Sequence, residues 1–417
     1  MRSPELGSVP AFTRYEKFVI AILSTLQFAV ILDFVVLSPL GAILMPTLQI
    51  GPSQFGLVVS AYAFSAGASG LLAAGFADRF DRKKLLIFFF AGFLLGTAFC
   101  ALAWNYYLLL AARIVTGIFG GVIGSIVMAI ISDLFPLEKR GRVMGFAQMA
   151  FGASQILGLP IGLYLANRFD WHAPFWMIVG LGGVVGVLIL LYMKPVNAHL
   201  TAQSRPDAVG HLLKTVNTRD YQKSFLATIL LATGGYMLMP FGSAFSTNNL
   251  GLTMDQLPWI YGITGVSTMI FGPLIGRLSD SIGKIQVFTA GTLLSMVVIV
   301  YYTHLEITPM WVCTALNVVM FAGITARMIS ASALVSAIPD ARDRGAFMSV
   351  TASLQQISGG VASAFAGLIV VQQAGGHLDR YDILGYVVIA TMIVTILMMN
   401  WIDRHVRQLL TRRAAAS

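Results

Sequence analysis

Charge is scarce in this chain. Of its 417 residues, 11% are Asp, Glu, Lys or Arg and 57% are apolar, whereas ordinary soluble domains carry roughly 25% charged residues. So few charges cannot cover a water-facing surface, which excludes a soluble globular fold and leaves a chain that crosses a bilayer repeatedly. Cysteine is almost missing. Cys100 and Cys313 fall inside apolar runs in opposite halves, so they make neither a disulfide framework nor a metal site and read as small buried hydrophobes. The six histidines (His172, His199, His211, His304, His377, His405) form no metal-binding pair on a helix face, and no phosphate-cradling loop occurs. These absences argue against a membrane enzyme and imply no metal or cofactor. The tails outside the apolar runs are short, which argues against a receptor with an appended signalling domain.

What is present is a series of long apolar runs, each near the 20 residues or so that a helix needs to span a bilayer. Twelve are marked, at about 17–46, 54–75, 85–104, 107–132, 143–167, 174–193, 223–247, 257–277, 285–304, 309–337, 346–372 and 381–402. The first is too long for the core of a signal peptide and is expected to stay in the membrane. The chain therefore reads as an all-α membrane protein: a six-helix half over 1–193, a polar linker over 194–222 and a second six-helix half over 223–417.

Lys and Arg collect in cytoplasmic loops, and with both termini inside, all but four of the 27 basic residues fall on that side. The exceptions are Arg168 and Arg380 outside and Arg113 and Arg327 within helices. A net charge of +9 is thus a topology signal rather than a nucleic-acid footprint. Trp104, Trp171, Trp176, Trp259 and Trp311 are expected at the outer ends of spans, as in an interfacial aromatic belt. Short loops and few cysteines fit a bacterial inner membrane, and two halves in one chain suffice for a monomer.

Two charged blocks link the halves. Gly75-Phe-Ala-Asp78-Arg79-Phe-Asp81-Arg82 joins spans 2 and 3, and Gly276-Arg-Leu-Ser-Asp280-Ser-Ile-Gly283-Lys284 joins spans 8 and 9. The first copy departs from the second in having Ala74 at the leading glycine, with Gly75 following, and Asp81 at the second glycine. Phe135-Pro136 through Arg140-Gly141 before span 5 is echoed by Ile338-Pro339 through Arg344-Gly345 before span 11. The pattern G-x-L-x-D-x-x-G-[RK], repeated this way, resembles the cytoplasmic motif of the major facilitator superfamily. That resemblance implies twelve helices in two pseudo-symmetric halves with the substrate site between them. It also implies a gate at the cytoplasmic side: Asp78 against the start of span 11 near Gly345, Arg79 or Arg82 against Asp133, and Asp280 against the start of span 5 near Gly141. Exposed amides at a helix start favour an anion by about 0.3–1 kcal/mol.

Of the 18 acidic residues, Asp33 alone lies deep in a span, about 16 residues in and so roughly 24 Å from the cytoplasmic face. A carboxylate there costs about 2.5–3.5 kcal/mol unless it is paired, hydrated or protonated. Loss of water favours the neutral acid and a neighbouring cation favours the carboxylate, a balance suited to loading and releasing a proton. The proton is accordingly the expected coupling ion. Arg113-Ile-Val-Thr-Gly117 in span 4 resembles the arginine motif of proton-linked members of the superfamily, and Arg113 is the expected partner of Asp33. Span 5 carries Gly152, Gln155, Gly158, Pro160 and Gly162, spacing that permits close helix approach and a bend. It resembles the antiporter motif of drug-efflux members, with Leu159 where the fuller form has glycine.

Substrate contacts are expected in the N-terminal half from Tyr62, Gln148 and Gln155. In the C-terminal half they are expected from Tyr236, Met237, Met239 and Phe241, then Tyr261, Asn317 and Arg327, and finally Gln355 and Gln356. Met and aromatic side chains with few charges suit lipophilic compounds, while an unpaired intramembrane arginine suits an anion. The leading expectation is proton-driven efflux of lipophilic or cationic small molecules. The alternative is export of an anionic amphiphile such as a lysolipid, a sphingoid phosphate or an organic acid, and a non-transporting receptor is a distant third.

Overall fold

A computed structural model describes residues 11–73, 79–197, 200, 208–339 and 343–416. The first half comprises α1 (Arg14–Val36), α2 (Gly41–Thr47), α3 (Pro52–Ala73), α4 (Arg82–Ala101), α5 (Tyr106–Leu134), α6 (Leu137–Ala153), α7 (Leu159–Arg168) and α8 (Ala173–Tyr192). A short helix, α9 (Ala208–Asn217), follows. Then come α10 (Arg219–Leu238), α11 (Gly242–Asn248), α12 (Leu257–Ile282), α13 (Lys284–Thr303), α14 (Met310–Ser336), α15 (Arg344–Ile369) and α16 (Tyr381–Ala416). A small antiparallel hairpin, β1 (Val371–Gln372) with β2 (Leu378–Asp379), joins the last two helices. The stretch 194–222 is therefore not all irregular linker, since it contains α9 and the first turn of α10.

Among the described residues, eleven helical segments are long and apolar enough to cross a membrane, with α6–α7 forming one of them and α10–α11 another. The protein is an all-α membrane protein. The one expected span not among those segments, the eleventh at 346–372, is α15, whose 26 residues supply the length but not the same apolar density. Its Ser, Thr and Gln side chains are tolerated because α15 is clamped between α3 and α10, so less of its surface has to face lipid. Ser60 Oγ, for example, donates to Gly360 O at 2.8 Å across the α3–α15 contact.

Local chemistry sets the helix starts. Thr13 and Glu16 form a reciprocal capping box at α1, and Asn105 caps α5 through Leu108 N. The two copies of the charged block are built differently. Asp81 caps α4, its Oδ1 accepting from Lys84 N at 3.0 Å, with φ −57°. Gly283 instead turns between α12 and α13 at φ +120°, a conformation that favours glycine. Asp81 in the first copy is thus a cap, not a damaged glycine.

The end bearing α1's start, α16's end and most of the described Lys and Arg is the basic end; the opposite end is the far end. The halves meet along two seams. The α3–α15 seam runs nearly the length of both helices: a Cβ on Gly56 would stand 2.7 Å from Ser363 O, and one on Gly67 would stand 2.9 Å from Ser353 O. The second seam pairs α6–α7 with α12 and is closed only toward the far end. There a Cβ on Gly265 would stand 3.0 Å from Ile156, a Cβ on Gly262 would stand 3.5 Å from Pro160, and Asn167 Nδ2 donates to Met254 O at 2.8 Å. Gly272 and Gly276 continue the Gly265 stripe by helical spacing, yet a Cβ on either would meet nothing within 4 Å, as on Gly145 and Gly152 of α6. The helices diverge toward the basic end.

The cores follow the same division. One buried apolar cluster joins the first half to the far part of the second. A separate cluster, with Tyr221, Phe225, Phe347 and Met399, fills the basic end of the second half. Trp104, Trp259 and Trp311 are at least 68% exposed, as a belt requires, but Trp171 is 3% exposed. It stacks on His172 at 3.7 Å and meets Phe175 edge-on, so it is a core residue.

Candidate functional site: a buried ion pair beside the inter-half contact

Asp33 and Arg113 meet in the interior of the first half. Asp33 is 0% exposed and Arg113 1%. Arg113 Nη1 donates to Asp33 Oδ2 at 2.8 Å and to Asp33 O at 3.3 Å. Thr97 Oγ1 on α4 lies 3.2 Å from Asp33 Oδ1 and 3.0 Å from its own Phe93 O. Arg113 Nε has no hydrogen-bond partner. The carboxylate thus has one ionic partner and one hydroxyl donor that its own helix also engages.

Small residues bring these helices together. A Cβ on Gly96 of α4 would stand 2.6 Å from Thr116 Oγ1 of α5, and one on Gly120 would stand 2.8 Å from Tyr62 Oη. A Cβ on Gly117 or Gly121 would run into α3 at Tyr62 and Ala66. The glycines after Arg113 therefore seat α3 closely enough for the Tyr62 ring to face the guanidinium, 4.5 Å from centroid to Cζ, in cation–π range.

The span-5 residues act next door. Proline at 160 removes a donor, and the preceding turn widens to a π-helix over Ser154–Gly158 in which Leu159 N bonds to Ser154 O. A Cβ on Gly158 would stand 2.6 Å from Leu32, beside Asp33, and one on Gly162 would stand 2.9 Å from Val36. Gly158 and Gly162 pack the widened helix on α1, while Pro160 faces α12.

From this pair an aromatic chain reaches the other half. Phe34 lies 5.3 Å from Tyr62 and 5.8 Å from Tyr236 of α10. Tyr236 Oη donates to Gln356 Oε1 at 3.4 Å, and its carbonyl accepts from Ser363 Oγ. Tyr62, Tyr236 and Gln356 are thus brought together with the ion pair. Phe34 and Thr97 belong to the same cluster and escaped the sequence reading: one is an ordinary apolar residue in an apolar run, the other one threonine among many. Gln27, also missed, has a buried Oε1 without a partner and lies across from Gly124.

The remaining expected contacts divide. Gln355 lines a cavity in the second half with Thr228 and Thr351. Met237 and Phe241 are fully buried core, Phe241 meeting Phe55 at 6.0 Å. Met239 and Tyr261 pack partly buried against that core, and Asn317 turns its amide to Cys313 O. Gln155 contributes its backbone carbonyl to the seam, 3.1 Å from a Cβ on Gly265. The side chain of Gln148 lies outside the described residues. Arg327 is 3% exposed and belongs to no ion pair among the described residues.

Of the expected gate, Gly75 and Asp78 lie outside the described residues and Arg79 is exposed. Arg82 Nε meets Asp133 Oδ2 at 3.2 Å. Asp280 does not reach the start of α6; it pairs with Lys284 on the following helix at 3.3 Å, because α6 and α12 stand apart at this end. Lys139 at the start of α6 pairs instead with Glu16 at 3.0 Å.

A bundle of apolar helices in two contacting sets, with a buried ion pair beside their contact, describes a polytopic membrane protein. A family model for the Major Facilitator Superfamily matches residues 23–218 and 224–416. The chain belongs to that superfamily, and it is a transporter, not an enzyme. It is 28% identical over 271 residues to an uncharacterized MFS-type transporter, YceJ, of Bacillus subtilis (strain 168), spanning 65% of this chain and 69% of that one. It is 26% identical over 230 residues to a probable sugar efflux transporter of Helicobacter pylori (strain P12), spanning 54% of this chain and 57% of the relative, little more than half its length. With Multidrug resistance protein 3 of Bacillus subtilis (strain 168) it shares 33% over 141 residues, 34% of this chain and 28% of the relative. Among solved structures it is similar to a bacterial homolog of the human lysosomal transporter Spinster in an inward-facing, unoccupied conformation. The TM-score is 0.73 at 16% identity, over 96% of this chain and 99% of that one, a likeness of fold.

Proposed function

We propose that this transporter works by alternating access between its six-helix halves and exports small lipophilic molecules, cations among them, in exchange for protons that load on Asp33. The observation that carries the reading is the fully buried Asp33–Arg113 pair. Arginine stays charged, so Arg113 is a fixed bias and Asp33 the group that titrates. Names of relatives that include efflux and multidrug resistance support export. The seam geometry supports the cycle, since contact at the far end with divergence at the basic end is one of the two arrangements that alternating access needs. The excess of Lys and Arg supports a cytoplasmic basic end with both termini inside a bacterial cell, and a single chain would suffice for transport. Export of an anionic amphiphile is a second reading, favoured by Arg327, which belongs to no ion pair among the described residues.

Dye accumulation in intact cells tests the export direction. Cells producing the wild type are expected to hold several-fold less lipophilic dye than cells producing Asp33→Asn, and a protonophore is expected to erase the difference. Equal accumulation in the two strains, or export that ignores the protonophore, contradicts the proposal.

A further inference from the structure

The second half holds a positive charge, Arg327, for which the described residues supply no counter-charge. Arg327 on α14 is 3% exposed, and its Nε and Nη2 have no hydrogen-bond partner. In the first half Arg113 is neutralised by Asp33; no ion pair among the described residues includes Arg327. A buried guanidinium without a partner is strongly unfavourable, so residues of this kind usually mark a substrate or ion path.

Its direction matters. The helix α14 runs from the far end to the basic end, and side chains lean toward a helix's N-terminus, here away from the basic end. A Cβ on Gly234 would stand 4.0 Å from Arg327 Nη1 and 3.7 Å from Thr391 Oγ1, which places the head group between α14, α10 and α16. Gly234 is 15 residues into α10 from Arg219, roughly 22 Å along it. The head group is therefore at mid-depth and does not snorkel to the basic end. Thr391 Oγ1 donates to Val388 O, makes no hydrogen bond to Arg327 among the described residues, and as a neutral hydroxyl supplies no counter-charge. Toward the basic end from this point lies a cavity of about 130 Å³, lined by Thr228 and Leu231 of α10, Met328 and Ser332 of α14, Gln355 of α15 and Met399 of α16. Arg327 is not itself in that wall; its head group stands beside Gly234, one turn from Leu231 toward the far end. The lining is mostly apolar with a few hydroxyl and amide groups.

We infer that Arg327 anchors the head group of an amphiphilic anion, a carboxylate or phosphate on an apolar tail, and that this head group supplies the missing counter-charge. The guanidinium fork matches such a head bidentately, and the apolar cavity takes the adjoining tail. The inference rests on the transporter reading and on the second of its two cargoes, the anionic amphiphile. It divides the labour: the first half carries its own acid and titrates, while the second half borrows its acid from the cargo.

Binding by purified full-length protein tests this without any transport step. The probes are dodecyl phosphate, dodecanol and dodecyltrimethylammonium, which share a tail and differ in head charge. Wild type is expected to bind dodecyl phosphate at least tenfold more tightly than the other two. Arg327→Gln is expected to lose that preference and Arg327→Lys to keep part of it. No head-group preference in the wild type, or preference for the ammonium, overturns the inference even where the Gln variant fails to fold. Inorganic phosphate binding as tightly as dodecyl phosphate overturns the amphiphile assignment. Because proton movement is not read here, failure of proton coupling through Asp33 leaves this result standing, and the reverse also holds.

Discussion

The ring centroid of Tyr62 lies 4.5 Å from the guanidinium carbon of Arg113, and the same ring lies 5.3 Å from Phe34, the neighbour of Asp33. Tyr62 thus contacts both helices that carry the ion pair, and Phe34 continues the contact to Tyr236 in the other half. A change at the pair that moves Arg113 or α1 has a packed route to the surface where the halves meet. That route is a set of contacts; whether it carries coupling is decided by mutants.

The ion pair predicts an asymmetric mutant cycle. Arg113→Gln leaves a carboxylate buried without a cation, and breaking a buried pair this way costs about 3–5 kcal/mol. The double variant Asp33→Asn/Arg113→Gln removes both charges and is expected to lose less than the sum of the single variants. Thermal unfolding of the purified protein in detergent checks this. Additive losses mean that the two groups do not interact.

The seat of Tyr62 predicts where a methyl group is tolerated. Gly117→Ala is expected to cost about 1–3 kcal/mol by overpacking, since the new Cβ would run into the Tyr62 backbone. Gly145→Ala has open space around it and should stay within about 0.5 kcal/mol. Equal effects at the two positions contradict the close α3–α5 packing.

Much of this architecture was legible in the sequence. Apolar runs near 20 residues and a repeated charged block mark the helices and the two related sets of six, because crossing lipid imposes both length and composition. Asp33 and Arg113 stood out since charge within an apolar run is rare, and the two side chains lie 2.8 Å apart. Phe34 and Thr97 were not legible, because their roles come from contacts between helices distant in sequence and their residue types are common in spans. The misplacement of Trp171 has a similar origin: position at a span end does not say whether an indole turns to lipid or inward against His172. Asp280 was expected at the start of α6, but the divergence of α6 from α12 is a property of one conformation, which no residue pattern encodes.

The two builds of the charged block predict different tolerances. Asp81→Ala is expected to cost about 1 kcal/mol through loss of the cap on Lys84 N, and Asp81→Gly only a few tenths. Gly283→Ala forces a side chain into φ +120°, which costs about 1–3 kcal/mol. Unfolding measurements on the three variants check the order, and a neutral Gly283→Ala contradicts the turn described.

The diverging seam predicts a cross-link that depends on state. In a Cys100→Ser/Cys313→Ser background, cysteines at Gly145 and Gly272 are expected to resist disulfide formation in the conformation described. They are expected to react when substrate and proton drive the cycle to the opposite arrangement. Cysteines at Ile156 and Gly265 are expected to show the reverse. Constant yields at both pairs would mean that this seam does not move.

The central claim is that Asp33 carries the proton, and proteoliposomes holding a pH-sensitive dye measure it directly. Wild type and Asp33→Asn are compared as lipophilic cations and anionic amphiphiles are added. Substrate-triggered proton movement in the wild type, reduced at least tenfold in Asp33→Asn while both proteins still bind the compound, is the predicted result. Proton movement of equal size in both proteins, or compound counterflow with no proton movement in either, would contradict it and leave Asp33 as a structural partner of Arg113.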